Sequence, residues 1–213
     1  MLTVSTSKIE PRAYHHGDLR AALVEAGLAL LAGSDADSIS LRELARQVGV
    51  SPTAVYRHFP DKKALLAALA EAGIAQLGEA QRIASDAAGG GAAGFAATGR
   101  AYVRFALAHP ALFRLAFTHG GYVGAPTNSS DPASLLLRGY SQQFGGADAE
   151  RLTLQAWSVA HGLAMLMLDG RLPPDDALID RVLDTKTLFP AQSLLTTNGT
   201  SRRSQGSKSD ASP

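Results

Sequence analysis

Residues 40–59 read SLRELARQVGVSPTAVYRHF, and this stretch decides the fold of the N-terminal part of the chain. Ser40 precedes an apolar run, and Glu43 stands three positions after Ser40. This spacing is the capping-box pattern that starts a helix. In that pattern the serine hydroxyl accepts from the Glu43 amide while the Glu43 side chain reaches back. Apolar residues then recur at helical spacing and predict one buried face, formed by Leu41, Leu44, Ala45 and Val48.

A tight turn and a second short helix follow. Gly49 tolerates the positive φ that a sharp turn requires, and the small Ala45 lets two helices cross closely. The second helix starts at Ser51 with Pro52 in its first turn, where a missing N–H costs nothing, and Pro60 ends it. The stretch therefore predicts a helix-turn-helix.

The outer face of the second helix is predicted to be small, polar and cationic. Val50 and Val55 point back to the core, which leaves four residues outside: Thr53, Ala54, Tyr56 and Arg57. Residues 41–63 also carry five basic side chains against two acidic ones, a net charge of +3. Such a face suits a helix that enters the major groove of DNA.

Most of the remaining chain shows helical periodicity. Leu19, Leu23, Ala26 and Leu30 share one face, and Gly33 is predicted to close that helix in a left-handed conformation. Asp61 caps a longer fourth helix over about 61–87. Residues 89–94 lack the Lys-Ser/Thr of a phosphate loop, so we interpret this glycine-rich stretch as a flexible connection. Later helices are predicted at about 95–109, 111–118, 134–144, 148–169 and 175–188, with a loop over 119–132.

Composition excludes several classes of site. The 213 residues are 46% hydrophobic and contain no cysteine, which excludes disulfides, thiolate metal sites and cysteine nucleophiles. Residues 1–13 lack the apolar run of a secretory signal. The most apolar stretch, 152–168, is interrupted by polar residues, so we expect a soluble, cytoplasmic protein without a membrane span.

The motif L-x-x-L-A-x-x-V-G-V-S-x-x-x-V-Y-x-H-F, followed by PDKKALL at 60–66, resembles the N-terminal signature of the TetR family. The resemblance covers about residues 14–72. The upstream YHHGDLR at 14–20 and the downstream WSVAHGL at 157–163 resemble a subgroup whose C-terminal domain carries a Trp-His-Gly signature.

This resemblance implies an all-α fold, with a three-helix helix-turn-helix DNA-binding domain followed by a larger helical effector-binding and dimerisation domain. The expected bounds are a flexible arm over 1–13, the DNA-binding domain over 14–60, the helical domain over 61–189 with 61–87 as connecting helix, and a disordered tail over 190–213. Dimerisation is expected through the helices at about 148–169 and 175–188. A two-fold dimer would place two recognition helices about 34–36 Å apart on a palindromic operator in double-stranded DNA.

The resemblance also implies a set of DNA-binding residues: Ser40, Arg42, Ser51, Pro52, Thr53, Ala54, Tyr56, Arg57, His58 and Lys62. Ser40 and Ser51 serve first as helix caps, with a phosphate contact added. For Tyr56 the alternative is packing against the preceding helix, and for His58 it is capping or packing beside Phe59. Repressor activity is the commoner behaviour of the family, while the sequence itself does not distinguish a repressor from an activator.

An unknown small-molecule effector is expected in the C-terminal domain. The candidate ligand-binding residues are Tyr102, Phe105, Phe113, Phe117, Trp157 and His161. For each of them the alternative is an ordinary core position. Trp157 and His161 share a helix face, with Gly162 permitting a close helix approach, so this pair lines either a pocket or the dimer interface. His109, His119 and His161 lack metal-site spacing, and we predict no metal and no cofactor.

Two other functions compete with a regulator. An enzyme on a helical scaffold is disfavoured because the chain lacks an H-E-x-x-H or G-x-S-x-G motif. An adaptor that retains the helix-turn-helix only as a packing unit is disfavoured because residues 40–63 show no degraded position.

Overall fold

The computed structural model describes residues 19–118 and 125–184. These residues form helices without a β-strand among them, as the all-α prediction required. The helices are α1 (Leu19–Ala32), α2 (Leu41–Val48), α3 (Pro52–His58), α4 (Lys62–Ala87), α5 (Gly91–Ala108), α6 (Pro110–Thr118), α7 (Pro132–Gly145), α8 (Ala149–Leu168) and α9 (Asp176–Val182). Short 3-10 turns at Ala36–Ser38 and Gly146–Asp148 precede α2 and α8. The predicted arm over 1–13, the 14–18 part of the upstream motif, His119 and the tail over 190–213 lie outside the described residues.

Helices α1, α2 and α3 form a small bundle on the N-terminal half of α4. Leu23, Leu44, Val55 and Phe59 are fully buried in its core. Helix α1 approaches α4 closely because Gly27 has no side chain: a Cβ there would lie 2.8 Å from Leu69 Cδ2. The three-helix unit is therefore seated directly on α4.

Helix α4 runs for 26 residues and packs against α1, α5, α6 and α7. Its buried side chains join one hydrophobic cluster that extends from Leu23 in α1 to Ile179 in α9. Gly73 lies against Leu112 of α6, and Gly78 lies against Pro132 at the start of α7. Glycine at these two positions lets the neighbouring helices approach the α4 backbone.

Helices α5, α7, α8 and α9 complete the C-terminal part of the fold. Helix α5 lies between α4 and α8, and α7 packs on both α4 and α8. Arg104 Nε pairs with Asp176 Oδ1 at 2.8 Å, and Arg100 Nε lies 3.5 Å from Asp180 Oδ1, which links α5 to α9. Such exposed ion pairs contribute about 0–1 kcal/mol each, so burial of Ile179 and Leu183 holds α9 more strongly.

The interpretation of residues 89–94 as a flexible connection is wrong for most of its length. Helix α5 starts at Gly91, and the turn is confined to Gly89, Gly90 and Gly91, which have φ of 78°, 69° and 58°. Gly94 lies inside α5, where a Cβ would come within 3.0 Å of Ser85 Oγ and would also collide with the Tyr140 hydroxyl. The glycine is required by a long-range contact that the local sequence does not show.

Three local expectations are also corrected. Gly33 is not left-handed, since the positive-φ glycines of the described chain do not include it. The Glu43 side chain does not reach back to the helix start but binds Arg46, with Arg46 Nε 3.0 Å from Glu43 Oε2. Helix α9 ends at Val182 rather than near residue 188, because Leu183 leaves the helical conformation.

We expect Gly78→Ala to destabilise the fold. The added Cβ would lie 2.7 Å from Pro132 Cβ and 2.8 Å from the Ala133 backbone nitrogen, neither of which is the end of a flexible side chain. The free energy of unfolding should fall by about 1–3 kcal/mol, measured by urea denaturation.

Gly139→Ala in α7 is the matched control, because a Cβ there meets nothing within 4 Å. Alanine should leave the free energy of unfolding unchanged or raise it by up to about 1 kcal/mol. Equal effects of the two substitutions would contradict the close packing of α4 and α7.

Candidate nucleic-acid interface and ligand cavity

The turn between α2 and α3 fixes the direction of α3. Gly49 adopts φ 76° and ψ 30°, and the Val50 N–H donates to the Ala45 carbonyl at 3.0 Å, which closes α2 with a Schellman pattern. Ser51 Oγ then accepts from the Ala54 N–H at 3.2 Å and caps α3. Ser40 Oγ caps α2 in the same way, accepting from the Glu43 N–H at 3.1 Å. Both serines thus act as the predicted caps.

Helix α3 has a buried side and an exposed side. Val55 is fully buried, and Phe59 directly after the helix is buried as well. Thr53, Arg57 and His58 are exposed, and Tyr56 keeps 45% of its surface exposed. The Tyr56 ring therefore lies at the surface rather than inside the bundle, while Ala54 is half-buried.

The helix-turn-helix and its flanking residues carry several cationic side chains. Arg42 at the start of α2 and Arg57 in α3 are exposed and form no ion pair within the described part of the chain. Lys62 donates from Nζ to the Asp37 carbonyl oxygen, so it is engaged with the turn before α2. The Arg20 guanidinium lies over the Phe59 ring, 5.4 Å from its centroid. Arg42 and Arg57 are thus the predicted cations most available to phosphates.

A separate cavity lies between α4, α5, α7 and α8. The cavity has a volume of about 50 Å³, and its wall is mainly apolar. Three of the six predicted ligand-binding residues line it: Tyr102, Phe117 and Trp157. A small, mostly apolar cavity with a few polar groups is the usual form of a small-molecule site.

The other three predicted residues lie behind the wall or away from it. His161 Nδ1 is 2.8 Å from the Tyr102 hydroxyl, and Phe113 packs edge-on against the Tyr102 ring at 5.4 Å between centroids. Phe105 packs instead on His109, with 4.8 Å between ring centroids. Phe113 and His161 therefore support Tyr102 rather than line the cavity.

Gly162 does not mediate a helix contact within the described chain, because a Cβ there would meet nothing within 4 Å. The predicted close approach of a helix at Gly162 therefore stays a prediction for the dimer interface. Trp157 and His161 do share a face of α8, with ring centroids 5.5 Å apart.

Gln81, a buried polar residue in the cavity wall, was not among the predicted ligand-binding residues. Its Nε2 donates to the Thr98 carbonyl oxygen at 3.2 Å, whereas its Oε1 has no hydrogen-bond partner among the described residues. Gln81 follows Ile74 and Leu77 on the same face of α4, and both of these also line the cavity. A glutamine within an apolar helical stripe was the available signal.

The described residues show neither a membrane-spanning helix nor a metal-binding cluster. None of their helices is long and apolar enough to cross a bilayer. They also contain no group of three or more His, Cys, Asp or Glu side chains arranged to hold a metal ion.

Comparison with known proteins gives matches in both parts of the chain. Residues 23–69 match the family model described as bacterial regulatory proteins, tetR family, and residues 95–186 match the model described as tetracyclin repressor-like, C-terminal domain. The chain belongs to the TetR family. Among curated proteins, none matched it.

Solved structures share this fold over most of the chain. A protein of unknown function from Rhodococcus sp. RHA1 is 34% identical, with 85% of this chain and 99% of that chain covered at a TM-score of 0.69. A tetR-family transcriptional regulator from Streptomyces coelicolor is 23% identical, with 84% of each chain covered at a TM-score of 0.56. A TetR variant from Acinetobacter baumannii AYE in complex with minocycline is 22% identical, with 81% of this chain and 94% of that chain covered at a TM-score of 0.53.

Family membership gives the two sites their context. The chain is a TetR-family transcriptional regulator with an N-terminal DNA-binding domain and a C-terminal ligand-binding domain. The exposed side of α3 lies in the first domain, and the cavity lies in the second.

The burial of His161 predicts a pH dependence of stability. Desolvation lowers the pKa of His161 below its ordinary value of 6.5, so the unfolded chain binds more protons than the folded one between those two values. The free energy of unfolding should therefore fall as the pH drops from about 7 through the folded-state pKa.

His161→Gln removes this titration and keeps an acceptor for the Tyr102 hydroxyl, so its stability should depend less on pH over the same range. His58→Gln is the control, because His58 is exposed. Chemical denaturation at a series of pH values measures the difference. Parallel profiles for wild type and His161→Gln would contradict the prediction.

Proposed function

We propose that the protein is a dimeric repressor that binds a palindromic operator through α3 and releases it when a small molecule occupies the cavity. The observation that carries the DNA-binding part is the exposed side of α3, where Tyr56 is 45% exposed, together with the exposed Arg42 and Arg57, which pair with no described acidic residue. A short helix with a free polar and cationic face fits the major groove, where cations contact phosphates and side chains read base edges.

The individual DNA contacts are part of this proposal. Thr53, Tyr56 and Arg57 would face the groove, and Pro52 and Ala54 would allow close approach of α3. Ser40, Ser51, His58 and Lys62 would hold the phosphate backbone, since serines at helix starts present amide groups to anions. Lys62 would first leave the Asp37 carbonyl oxygen.

The test of DNA binding is selection from a random duplex pool, followed by titration of the enriched site with Tyr56→Ala. We expect a palindrome to be enriched by the wild type, and Tyr56→Ala to bind it about tenfold or more weakly. Because Tyr56 is exposed, the free energy of unfolding should change by no more than about 0.5 kcal/mol.

Ile83→Ala is the matched control, since Ile83 is an exposed apolar residue in the second half of α4 and 54% of its surface is accessible. It should bind the palindrome as the wild type does. If the protein were an adaptor without DNA-binding function, no sequence would be enriched. Wild type, Tyr56→Ala and Ile83→Ala would then bind DNA equally weakly, which would contradict the proposal.

The proposed dimer forms through the outer face of α8. Leu154 and Leu166 are 37% and 46% exposed there, and Ser158 and Gly162 provide small residues between them. Within the described residues, α9 offers less apolar surface, because Asp176 and Asp180 on its outer side pair with arginines of α5. Burial of the α8 face against a second copy would cover its exposed leucines.

We expect Leu154→Glu combined with Leu166→Glu to convert the protein to a monomer, because like charges would face each other across a two-fold axis. Size-exclusion chromatography with light scattering measures the mass. Ile83→Glu, which adds the same charge on another face, should remain dimeric. A dimer that survives the double substitution would contradict the α8 interface.

Effector response would be transmitted through α4, which carries both the DNA-binding bundle and one wall of the cavity. Coupling of this kind is typically worth about 1–3 kcal/mol, enough to change operator occupancy several-fold or more.

We also propose that the chain belongs to the subgroup with a Trp-His-Gly signature, because it contains Trp157, His161 and Gly162. As a regulator of an operator in DNA, it would act in the cytoplasm.

A further inference from the structure

The cavity wall includes a buried hydrogen-bond acceptor, Gln81 Oε1, to which no described residue donates. Gln81 is buried, with 6% of its surface exposed, and it lines the cavity. Its Oε1 accepts no hydrogen bond from any described residue. A buried acceptor without a hydrogen bond destabilises the fold, so a hydrogen-bond donor that enters the cavity would recover that free energy.

The orientation of the Gln81 amide is determined by its neighbour. The Thr98 carbonyl oxygen lies 3.2 Å from Gln81 Nε2, and a carbonyl oxygen only accepts. The amide NH₂ group must therefore face Thr98, which leaves the Gln81 oxygen for another donor.

The nearby hydroxyl groups are already engaged. Thr98 Oγ1 donates to the Phe95 carbonyl oxygen at 2.7 Å. The Tyr102 hydroxyl is hydrogen-bonded to His161 Nδ1 at 2.8 Å. Neither hydroxyl supplies the missing donor to Gln81.

The described part of the cavity wall carries no formal charge. Among the described residues that line the cavity there is no Asp, Glu, Lys, Arg or His. An ionised ligand would lose its hydration without gaining a counter-charge, which is strongly unfavourable. The wall therefore selects neutral molecules.

We propose that the effector is an uncharged, mainly apolar molecule that donates one hydrogen bond, from an N–H or O–H group, to Gln81 Oε1. This inference rests on the proposed function, in which the cavity is the effector site. Phe95, Tyr102 and Trp157 in the wall favour a flat ring system, because aromatic faces pack well on one another.

The test compares two probes of nearly the same shape that differ in the donor. Indole carries an N–H, whereas benzofuran has an oxygen in its place and cannot donate. Isothermal titration calorimetry on the full-length protein measures both dissociation constants, with benzoate as the charged probe. We expect indole to bind about fivefold more tightly than benzofuran, and benzoate to bind more weakly than either.

The variant Gln81→Leu removes the acceptor and should reduce the preference for indole to about one. Gln81→Met provides an unbranched alternative of similar length if leucine disturbs the packing. Gln76→Leu is the matched control, because Gln76 lies on the exposed side of α4, and it should keep the wild-type preference.

Ala156 lies in the cavity wall, so Ala156→Phe should fill the cavity. This variant tests whether the probes bind in the cavity at all, separately from the role of Gln81. The inference is supported if Ala156→Phe abolishes binding of both probes and Gln81→Leu removes the preference for indole. Equal binding of both probes that is blocked by Ala156→Phe and unchanged in Gln81→Leu overturns the donor inference but leaves the cavity as a site. Binding that Ala156→Phe does not affect, or binding of neither probe, overturns the cavity assignment and the inference together.

Discussion

The close packing of neighbouring helices on α4 is the constraint on which the rest of the structure depends. A Cβ at Gly27 of α1 would lie 2.8 Å from Leu69 of α4, and α4 itself has glycine where Leu112 and Pro132 press against it. Because protein interiors are packed like crystals, a displacement of a few tenths of an ångström at such contacts has to be shared by the neighbours. One helix thus holds the DNA-binding bundle, α6 and α7 at fixed distances.

The same packing explains why the cavity lies where it does. Ile74, Leu77 and Gln81 follow Gly73 along one side of α4, so the face that meets α6 leads directly into the cavity wall. Gly94 of α5 lies close to Ser85 of α4, so α5 packs tightly on α4 next to the cavity. A ligand in the cavity would therefore touch α4 itself, without an intermediate element between ligand and helix.

The extent to which the sequence predicted the structure follows the range of the interactions. The two serine caps, the left-handed Gly49 and the buried Val55 depend on residues within a few positions, and the motif around 40–59 predicted them correctly. The Gly94 contact with Ser85 and Tyr140 joins three helices, so no local pattern around residues 89–94 reveals it. The cavity raised the same difficulty: the aromatic residues were visible as candidates, but only the tertiary structure separates Trp157 in the wall from Phe113 behind it.

Helix α6 offers a second connection between the cavity and the DNA-binding bundle. Phe117 near its end lines the cavity, and Leu112 near its start lies against Gly73 of α4. The same helix contacts α1 and the 3-10 turn at Ala36–Ser38, whose Asp37 carbonyl oxygen accepts from Lys62. Since a helix of nine residues moves as a rigid unit, displacement of Phe117 by a ligand would be felt at both ends of α6. The proposed release of DNA then requires no unfolding, because a shift of α6 bears directly on the turn that positions α2 and on the residue that begins α4.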